Sequence, residues 1–487
     1  MRMRSNLEKT ILLKNMVCGE DMEGNLTKGP ILKTLTKLAI PIMASSFLGT
    51  LYNLTDMAWI GLLGSKAVAG VGVGGMYTWL SQGLASMARM GGQVQVAQHI
   101  GKGNRDEANK YAQTAVQLAT LMGLVYAAIV LLFLHRLIGF FQLDDAEAIA
   151  AAFSYTRIAC GLIVFSFLTF TLTGIYTAQG DSKTPFIANL IGLVINMSKV
   201  PLFFLVFSAC LNVVLDLLLI LCFHMGVAGA AIATVTAQGI VMSVMIIGIF
   251  VQKKDNVLKG IRLFARIPME YVSGICKIGI PTALQGMAYC VISMVLARMV
   301  SVFGAEAVAV QRVGGQIESL SWNTADGFAA ALNAFVGQNY GANKMDRVKK
   351  GYRASLWTVG IWGLIITAIF VFVPKPIARI FFHEATAIEV AVDYLIIVGL
   401  SEAFMCVELM TVGALSGLGK THLCSVISII FTGARIPLAI LLCRTALGLN
   451  GIWCAVSSTS IVKGIIFVAT FFWITRSSRI LKDNSRL

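Results

Sequence analysis

The stretch that decides the fold is LAIPIMASSFLGTLYNLTDMAWIG, Leu38 to Gly61, an apolar run with one proline, Pro41, and one acid, Asp56. A helix of about 20 apolar residues crosses a bilayer, and this run exceeds that length. A carboxylate in a spanning helix costs about 3 kcal/mol on insertion scales, so it is tolerated mainly beside a polar cavity or a partner. Asp56 is therefore a candidate functional residue. The alternative is an acid near a helix end, solvated by interfacial water.

The composition of the whole chain agrees with a membrane protein. Its 487 residues are 57% hydrophobic and 13% charged, and the mean hydropathy is +0.79. This predicts an all-α polytopic membrane protein. The net charge of +15 does not indicate nucleic acid, because the basic residues cluster between apolar runs, as the positive-inside rule expects of cytoplasmic segments. Both termini are then cytoplasmic and the number of spans is even.

Apolar runs of spanning length predict about twelve transmembrane helices. A basic connection at 252–270 divides them into two groups of six. The predicted organisation is a cytoplasmic N-terminal segment (1–30), an N-lobe (31–251), a cytoplasmic linker (252–270), a C-lobe (271–475) and a cytoplasmic tail (476–487).

The two halves repeat each other at an offset of 240 residues. Ile40-Pro41 matches Ile280-Pro281 without a gap. Two further matches are Gln98 with Gln338 and Gly101 with Gly341. Six spans repeated in one orientation predict two lobes related by a pseudo-two-fold axis along the membrane normal, with a substrate path between them.

One segment departs from this repeat. Ile195 to Phe207 aligns with Leu211 to Phe223 at a spacing of 16 residues, which indicates a local tandem duplication. The first copy contains Lys199, an unfavourable residue in a bilayer, so this copy lies at the interface or faces a cavity. The conformation of the duplicated segment stays open at this point.

Several motifs carry a family resemblance from about Leu26 to Ile474. They include YNLTDMAWIGLLGSKAVAGVG from Tyr52, VGQNYGANKMDRV from Val336 and GALSGLGKT from Gly413. With this order and spacing, the chain resembles the multidrug and toxic compound extrusion (MATE) family of cation-coupled exporters. The resemblance implies a secondary active exporter of drug-like, cationic organic compounds, in antiport with Na+ or H+ by alternating access.

The resemblance also implies a cation-binding site in the N-lobe. Carried over residue by residue, it consists of Asp56 on the first helix, Asn212 and Asp216 on the fifth and Thr234 on the sixth, with Pro41 as the hinge of the first helix. The duplication offers a second register that begins at Asn196, where the acid is missing. Asn212 and Asp216 share one helix face, which suits joint cation ligation. Thr234 alone is more typical of a hydroxyl bonded to its own helix.

A polar stripe on the eighth span predicts a substrate cavity. Gln311, Glu318 and Trp322 recur at helical spacing, and a lipid-facing stripe of this kind is costly. Glu318 with Trp322 suits an aromatic cation, through charge and cation–π attraction. A structural pair of Glu318 with Arg312 or Arg298 is the alternative.

Other charged residues lie in the C-lobe spans. Some relatives carry an acid on the tenth helix. The acids nearest to that position in this sequence, Glu402 and Glu408, are displaced from it, so a sodium site in the C-lobe is doubtful. For Glu408 and Arg435, a structural ion pair between C-lobe residues is favoured over a transport role.

No enzyme is predicted, because no nucleophile with its base and no phosphate loop is found. We expect no cofactor beyond the coupling ion, and a monomer in a bacterial cell membrane that handles small-molecule substrates. The alternative function within the superfamily is a flippase for lipid-linked oligosaccharides or a polysaccharide exporter, which would need a strongly basic cavity.

Overall fold

The computed structural model describes residues 26–62, 65–141, 145–194, 225–251, 256–260, 265–266, 268–382 and 384–484. Within these ranges the side chains of 51–66, 68–69, 191–194, 251, 305 and 477–484 fall outside the description.

The described part of the chain is helical and contains no strand. In chain order the helices are α1 (Ile31–Leu62), α2 (Ser65–Gly101), α3 (Arg105–Leu132), α4 (Leu134–Gly139), α5 (Ala146–Gly161), α6 (Val164–Ala178), α7 (Lys183–Val194), α8 (Gly226–Val251), α9 (Met269–Ser301), α10 (Ala305–Gly341), α11 (Met345–Phe372), α12 (Pro374–Phe381), α13 (Ala385–Gly417), α14 (Thr421–Gly433), α15 (Arg435–Cys443) and α16 (Leu449–Asn484).

The lengths and composition of these helices confirm a polytopic membrane protein. Among the described residues, 8 helical segments are long and apolar enough to span a membrane, or 9 if the pair α5 and α6, bent by 46°, forms one span. Polar side chains cap the N-terminal ends of several of these helices. The Asp145 side chain, for example, accepts from the backbone N–H of Glu147 at 2.8 Å before α5, which satisfies one free donor of the first turn.

The helices repeat at the offset found in the sequence. The 37 residues of α2 correspond to the 37 of α10, and the 28 of α3 to the 28 of α11. In both pairs each helix bound is displaced by 240 residues. The repeat of the sequence is therefore a repeat of structure.

The turn between the paired helices repeats as well. Gly103, with φ 79°, precedes α3, and Asn343, with φ 57°, precedes α11 at the equivalent position. Both lie in the left-handed region, where glycine is unstrained and asparagine is among the better tolerated side chains. The same turn therefore forms from different residues in the two halves.

The chain packs as two compact units whose boundaries fall inside helices. Unit 1 contains the described residues of Ala44–Gly279, and unit 2 contains Leu26–Met43 with the described residues of Ile280–Leu487. Two helices are therefore divided between units: α1 beside Pro41, and α9 beside Pro281. The lobes predicted at 31–251 and 271–475 are defined by membrane spans and not by packing. They therefore stay predictions.

In unit 1 the described part of the basic connection is held against the helices. Val257 and Leu258 are buried in an apolar cluster with α2, α3, α6 and α8. The Asn109 side-chain amide donates to the Lys259 carbonyl at 3.0 Å, and the Val257 N–H donates to Oε1 of Gln179 at 3.0 Å. Residues 256–260 of the predicted linker are therefore a fixed part of unit 1.

In unit 2 the core forms between α10, α11, α13, α16 and the start of α1. Leu26 is buried there, and its backbone N–H donates to Oε1 of Gln338 at 2.9 Å. The rings of Tyr352 and Phe471 stack with centroids 3.6 Å apart. Because α13 packs on α10, α11 and α16, it is the central helix of unit 2.

Candidate functional site

The predicted cation site of the N-lobe is only partly described. Asp56 lies on α1, and its side chain is outside the description. Asn212 and Asp216, together with the alternative Asn196, lie outside the described residues. The proposed grouping of these residues stays a prediction.

The two remaining members of that prediction are described. Thr234 lies on α8 and is partly buried, and its hydroxyl donates to the carbonyl of Ala230 at 3.0 Å. This is the bond typical of a threonine within a helix, and Oγ1 keeps its acceptor lone pairs. Pro41 lies within α1, which continues on both sides of it. The division between packing units follows two residues later, after Met43.

The predicted substrate-cavity residues all lie on α10. Gln311 has a buried Oε1 with no hydrogen-bond partner among the described residues. Glu318, two turns further along, is partly buried and accepts a short hydrogen bond from the Tyr394 hydroxyl of α13. Trp322 is 41% exposed. The stripe therefore combines an amide oxygen without a hydrogen-bond partner among the described residues, a carboxylate that accepts a hydrogen bond and an exposed aromatic ring.

Tyr394 holds its position through tight packing. Its ring lies against Gly314 of α10, where a Cβ would overlap the ring. On another side, Trp453 of α16 meets it edge to face, with centroids 5.0 Å apart at 89°. Three helices thus fix the ring and direct its hydroxyl at Glu318.

A buried ion pair joins α13 to α16. Lys463 Nζ lies 2.9 Å from Oε1 of Glu408, and the two side chains are only 6% and 7% exposed. Lys463 also donates to the Thr432 hydroxyl at 3.3 Å. Glu408 therefore belongs to an ion pair of unit 2, but its partner is Lys463 and not Arg435, the other charge considered from the sequence.

Arg435 lies in the same region, at the start of α15, and is buried. Its Nε donates to the Thr459 hydroxyl at 3.1 Å, and one terminal nitrogen donates to the Ser460 hydroxyl at 2.8 Å. The polar partner found for Glu318 is the Tyr394 hydroxyl of another helix, in place of the Arg312 or Arg298 considered from the sequence.

Glu402 is the most enclosed acid of this region. It is 0% exposed, and within the described residues its carboxylate oxygens make no hydrogen bond of ordinary geometry, although the Ser321 hydroxyl lies close to the carboxylate. Glu402 is therefore enclosed in the interior of unit 2.

Sequence reasoning missed Tyr394 and Lys463. A lone lysine in an apolar run is a signal for a buried partner, and Lys463 stands in such a run from Leu449 to Thr475. A second missed cation is Arg89 of α2 in unit 1, whose guanidinium lies 4.3 Å from the Phe170 ring centroid. Such a stacked guanidinium is stabilised by the ring.

Long apolar helices around an interior of charged side chains define an integral membrane protein with a polar core. Comparison with known families then identifies the family. The MatE family model matches residues 41–202 and 281–441, one segment in each half. The chain belongs to the MatE family.

Curated relatives are similar over nearly the whole chain. A probable multidrug resistance protein of Thermotoga maritima, NorM, is 29% identical over 453 residues, 90% of this chain and 91% of the relative. The multidrug export protein MepA of Staphylococcus aureus is 21% identical over 426 residues, 87% and 90% of the two chains.

Solved structures show the same fold. An outward-facing multidrug resistance MATE family transporter of the MOP superfamily superposes with a TM-score of 0.84 at 23% identity, over 95% of this chain and 100% of that chain. A MATE transporter of Vibrio cholerae, VcmN, superposes with a TM-score of 0.83 at 18% identity, over 92% and 97%. The match supports the all-α architecture along almost the entire sequence.

Proposed function

We propose that this protein exports drug-like organic cations from the cell in antiport with Na+ or H+, by alternating access. The observation that carries the proposal is the family match in both halves, with full-length relatives named as multidrug resistance and export proteins. Both termini are then cytoplasmic, and the substrate leaves through the path predicted between the lobes.

Coupling is assigned to Asp56, with Asn212, Asp216 and Thr234 as partners. A membrane-embedded acid binds either the coupling ion or the cationic substrate, so the two compete for it. Exchange requires only that their affinities differ between the inward-open and outward-open states. Helix α1 carries Asp56, and the boundary between the packing units crosses α1 beside Pro41. Binding of the coupling ion at Asp56 therefore acts directly on the position of α1.

The alternative is export of lipid-linked oligosaccharides, which would require basic side chains open to an anionic headgroup. Among the described residues of unit 2, the two buried bases already have partners. Lys463 is paired with Glu408, and Arg435 donates to two hydroxyls. These contacts favour an organic cation over an anionic lipid as the substrate.

The experiment is transport by purified protein in liposomes, with tetraphenylphosphonium or ethidium as the cation. A Na+ gradient and a pH gradient are imposed separately, each without membrane potential. The proposal expects one gradient to drive substrate movement against its own gradient. Equilibration of the substrate without a response to either gradient would contradict antiport.

A further inference from the structure

A cavity opens in unit 1 at the N-terminal end of α3. Its volume is about 650 Å³, and it is lined by α3 and by the linker turn, residues 256–260. A smaller cavity of about 370 Å³ adjoins it, since Arg105 and Asp106 line both. Helix α3 is long and apolar enough to span a membrane, and it begins at Arg105. The cavities therefore lie at the level of the membrane surface, on the side predicted to be cytoplasmic.

The linker turn fixes one basic side chain in this cavity. Val257 is buried in the core of unit 1, and the Asn109 amide donates to the carbonyls of both Val257 and Lys259. The Lys259 side chain is exposed and lines the same cavity as Arg105 and Lys110. Because the backbone of the turn is held by α3, the Lys259 ammonium stays close to the bases of that helix.

Positive charge exceeds negative charge in the lining of the two cavities. The lining contains four bases and one acid, namely Lys102, Arg105, Lys110, Lys259 and Asp106. Lys110 is paired with Glu107 at 2.9 Å. Within the part of the chain that the structure describes, the Lys102 and Lys259 side chains form no ion pair. Such a concave basic surface attracts an anion.

Aromatic and apolar side chains border these bases. Lys110 Nζ lies 5.8 Å from the centroid of the Tyr271 ring, and the Tyr271 ring meets that of Tyr111 edge to face, with centroids 4.9 Å apart. Tyrosine is enriched where spanning helices pass the lipid headgroups. Met269, the first residue of α9, is 77% exposed. The bases thus lie beside a surface suited to lipid, which a soluble anion would not use.

We propose that this cavity binds the phosphate headgroup of an anionic phospholipid, with Lys102, Arg105 and Lys259 as the recognising bases. Basic pockets between transmembrane helices on the cytoplasmic side suit such headgroups. A guanidinium donates two parallel N–H bonds to a phosphate, and an ammonium adds a point charge. A bound lipid stabilises unit 1 by holding the linker turn against α3. The site is separate from the cation site predicted around Asp56.

The test is the thermal stability of the full-length protein, delipidated in micelles of a neutral detergent. Cardiolipin, phosphatidylglycerol or phosphatidylcholine is titrated, and the lipid concentration that gives half of the maximal rise in Tm is measured. A ligand that binds only the folded protein raises Tm. The two anionic lipids should act at lower concentration than phosphatidylcholine, and salt should weaken their effect. Equal potency of all three lipids would overturn the proposal.

Lys259→Gln tests the site itself. The turn is held through backbone carbonyls, so this variant keeps the fold, and the half-maximal concentration of cardiolipin should rise about fivefold. Lys259→Arg keeps the charge and should bind as the wild type does. The control is Lys375→Gln, at an exposed base of α12 in unit 2, which should leave the titration unchanged. Equal weakening in Lys259→Gln and Lys375→Gln would show general charge attraction and contradict a site at Lys259.

Inorganic phosphate distinguishes a lipid from a soluble anion. It shares the phosphate chemistry and lacks the acyl chains, so at the concentration where cardiolipin saturates it should not raise Tm. A rise in Tm with phosphate alone that Lys259→Gln abolishes would refute the assignment to a lipid. None of these measurements depends on transport, so their outcome is independent of the proposed function.

Discussion

Lys463 Nζ donates to Oε1 of Glu408 at 2.9 Å, and both side chains are almost inaccessible inside unit 2. The two residues lie on α16 and α13, so their pair links the last helix to the central helix of the unit. In a membrane-embedded unit such a pair has consequences for stability that a surface pair does not have.

The first prediction concerns this pair. Lys463→Met leaves Glu408 buried without its partner, and we expect a loss of about 3–5 kcal/mol in the free energy of unfolding. The matched control is Lys110→Met, which removes the exposed pair with Glu107, also at 2.9 Å, and should lower the stability far less because water screens an exposed pair. Denaturant unfolding in micelles measures both, and equal losses would count against a structural role for Lys463.

The second prediction concerns the hydroxyl that Tyr394 directs at Glu318. Tyr394→Phe keeps the ring between Gly314 and Trp453 and removes only the donor, so we expect a loss of about 1.5–3 kcal/mol, as for hydrogen bonds to charged groups. Tyr340→Phe, at an exposed ring on α10, is the control. The same unfolding assay measures both variants. Equal stability of the two variants would show that the Tyr394 hydroxyl does not contribute.

The third prediction concerns the close approach of α13 to α10. Gly314→Ala places a Cβ inside the Tyr394 ring, and overpacking of this kind costs about 1–3 kcal/mol. Gly360→Ala on α11, where the new Cβ meets nothing within 4 Å, should be neutral or stabilising by up to about 1 kcal/mol through helix propensity. A stable Gly314→Ala protein would show that the ring moves aside without cost.

The sequence predicted the helical class and the repeat because both depend on local patterns. Apolar runs define the spans, and Gln98 and Gln338 occupy equivalent positions at the offset that the helix bounds follow. It did not predict the partner of Glu408, since Lys463 is on another span and only tertiary packing brings them together. Tyr394 was missed for the same reason.

The predicted sites fared differently. The sequence singled out Glu318 because a lipid-facing carboxylate is unfavourable, and it proposed nearby arginines as partners where the fold supplies the Tyr394 hydroxyl. Thr234 bonds to its own helix. The cation site around Asp56 stays a prediction, with Asn212 and Asp216 outside the described residues.

The most direct test of the central claim is drug export by Asp56→Asn. Inserted, folded protein is reconstituted in liposomes, and transport of tetraphenylphosphonium is measured under the gradient that drives the wild type. The control is Asp393→Asn, at an exposed acid that accepts from the Asn450 amide at 2.9 Å. We expect Asp393→Asn to transport as the wild type does and Asp56→Asn to transport at background level. Export by Asp56→Asn at the wild-type rate would contradict the assignment of Asp56 as the coupling residue.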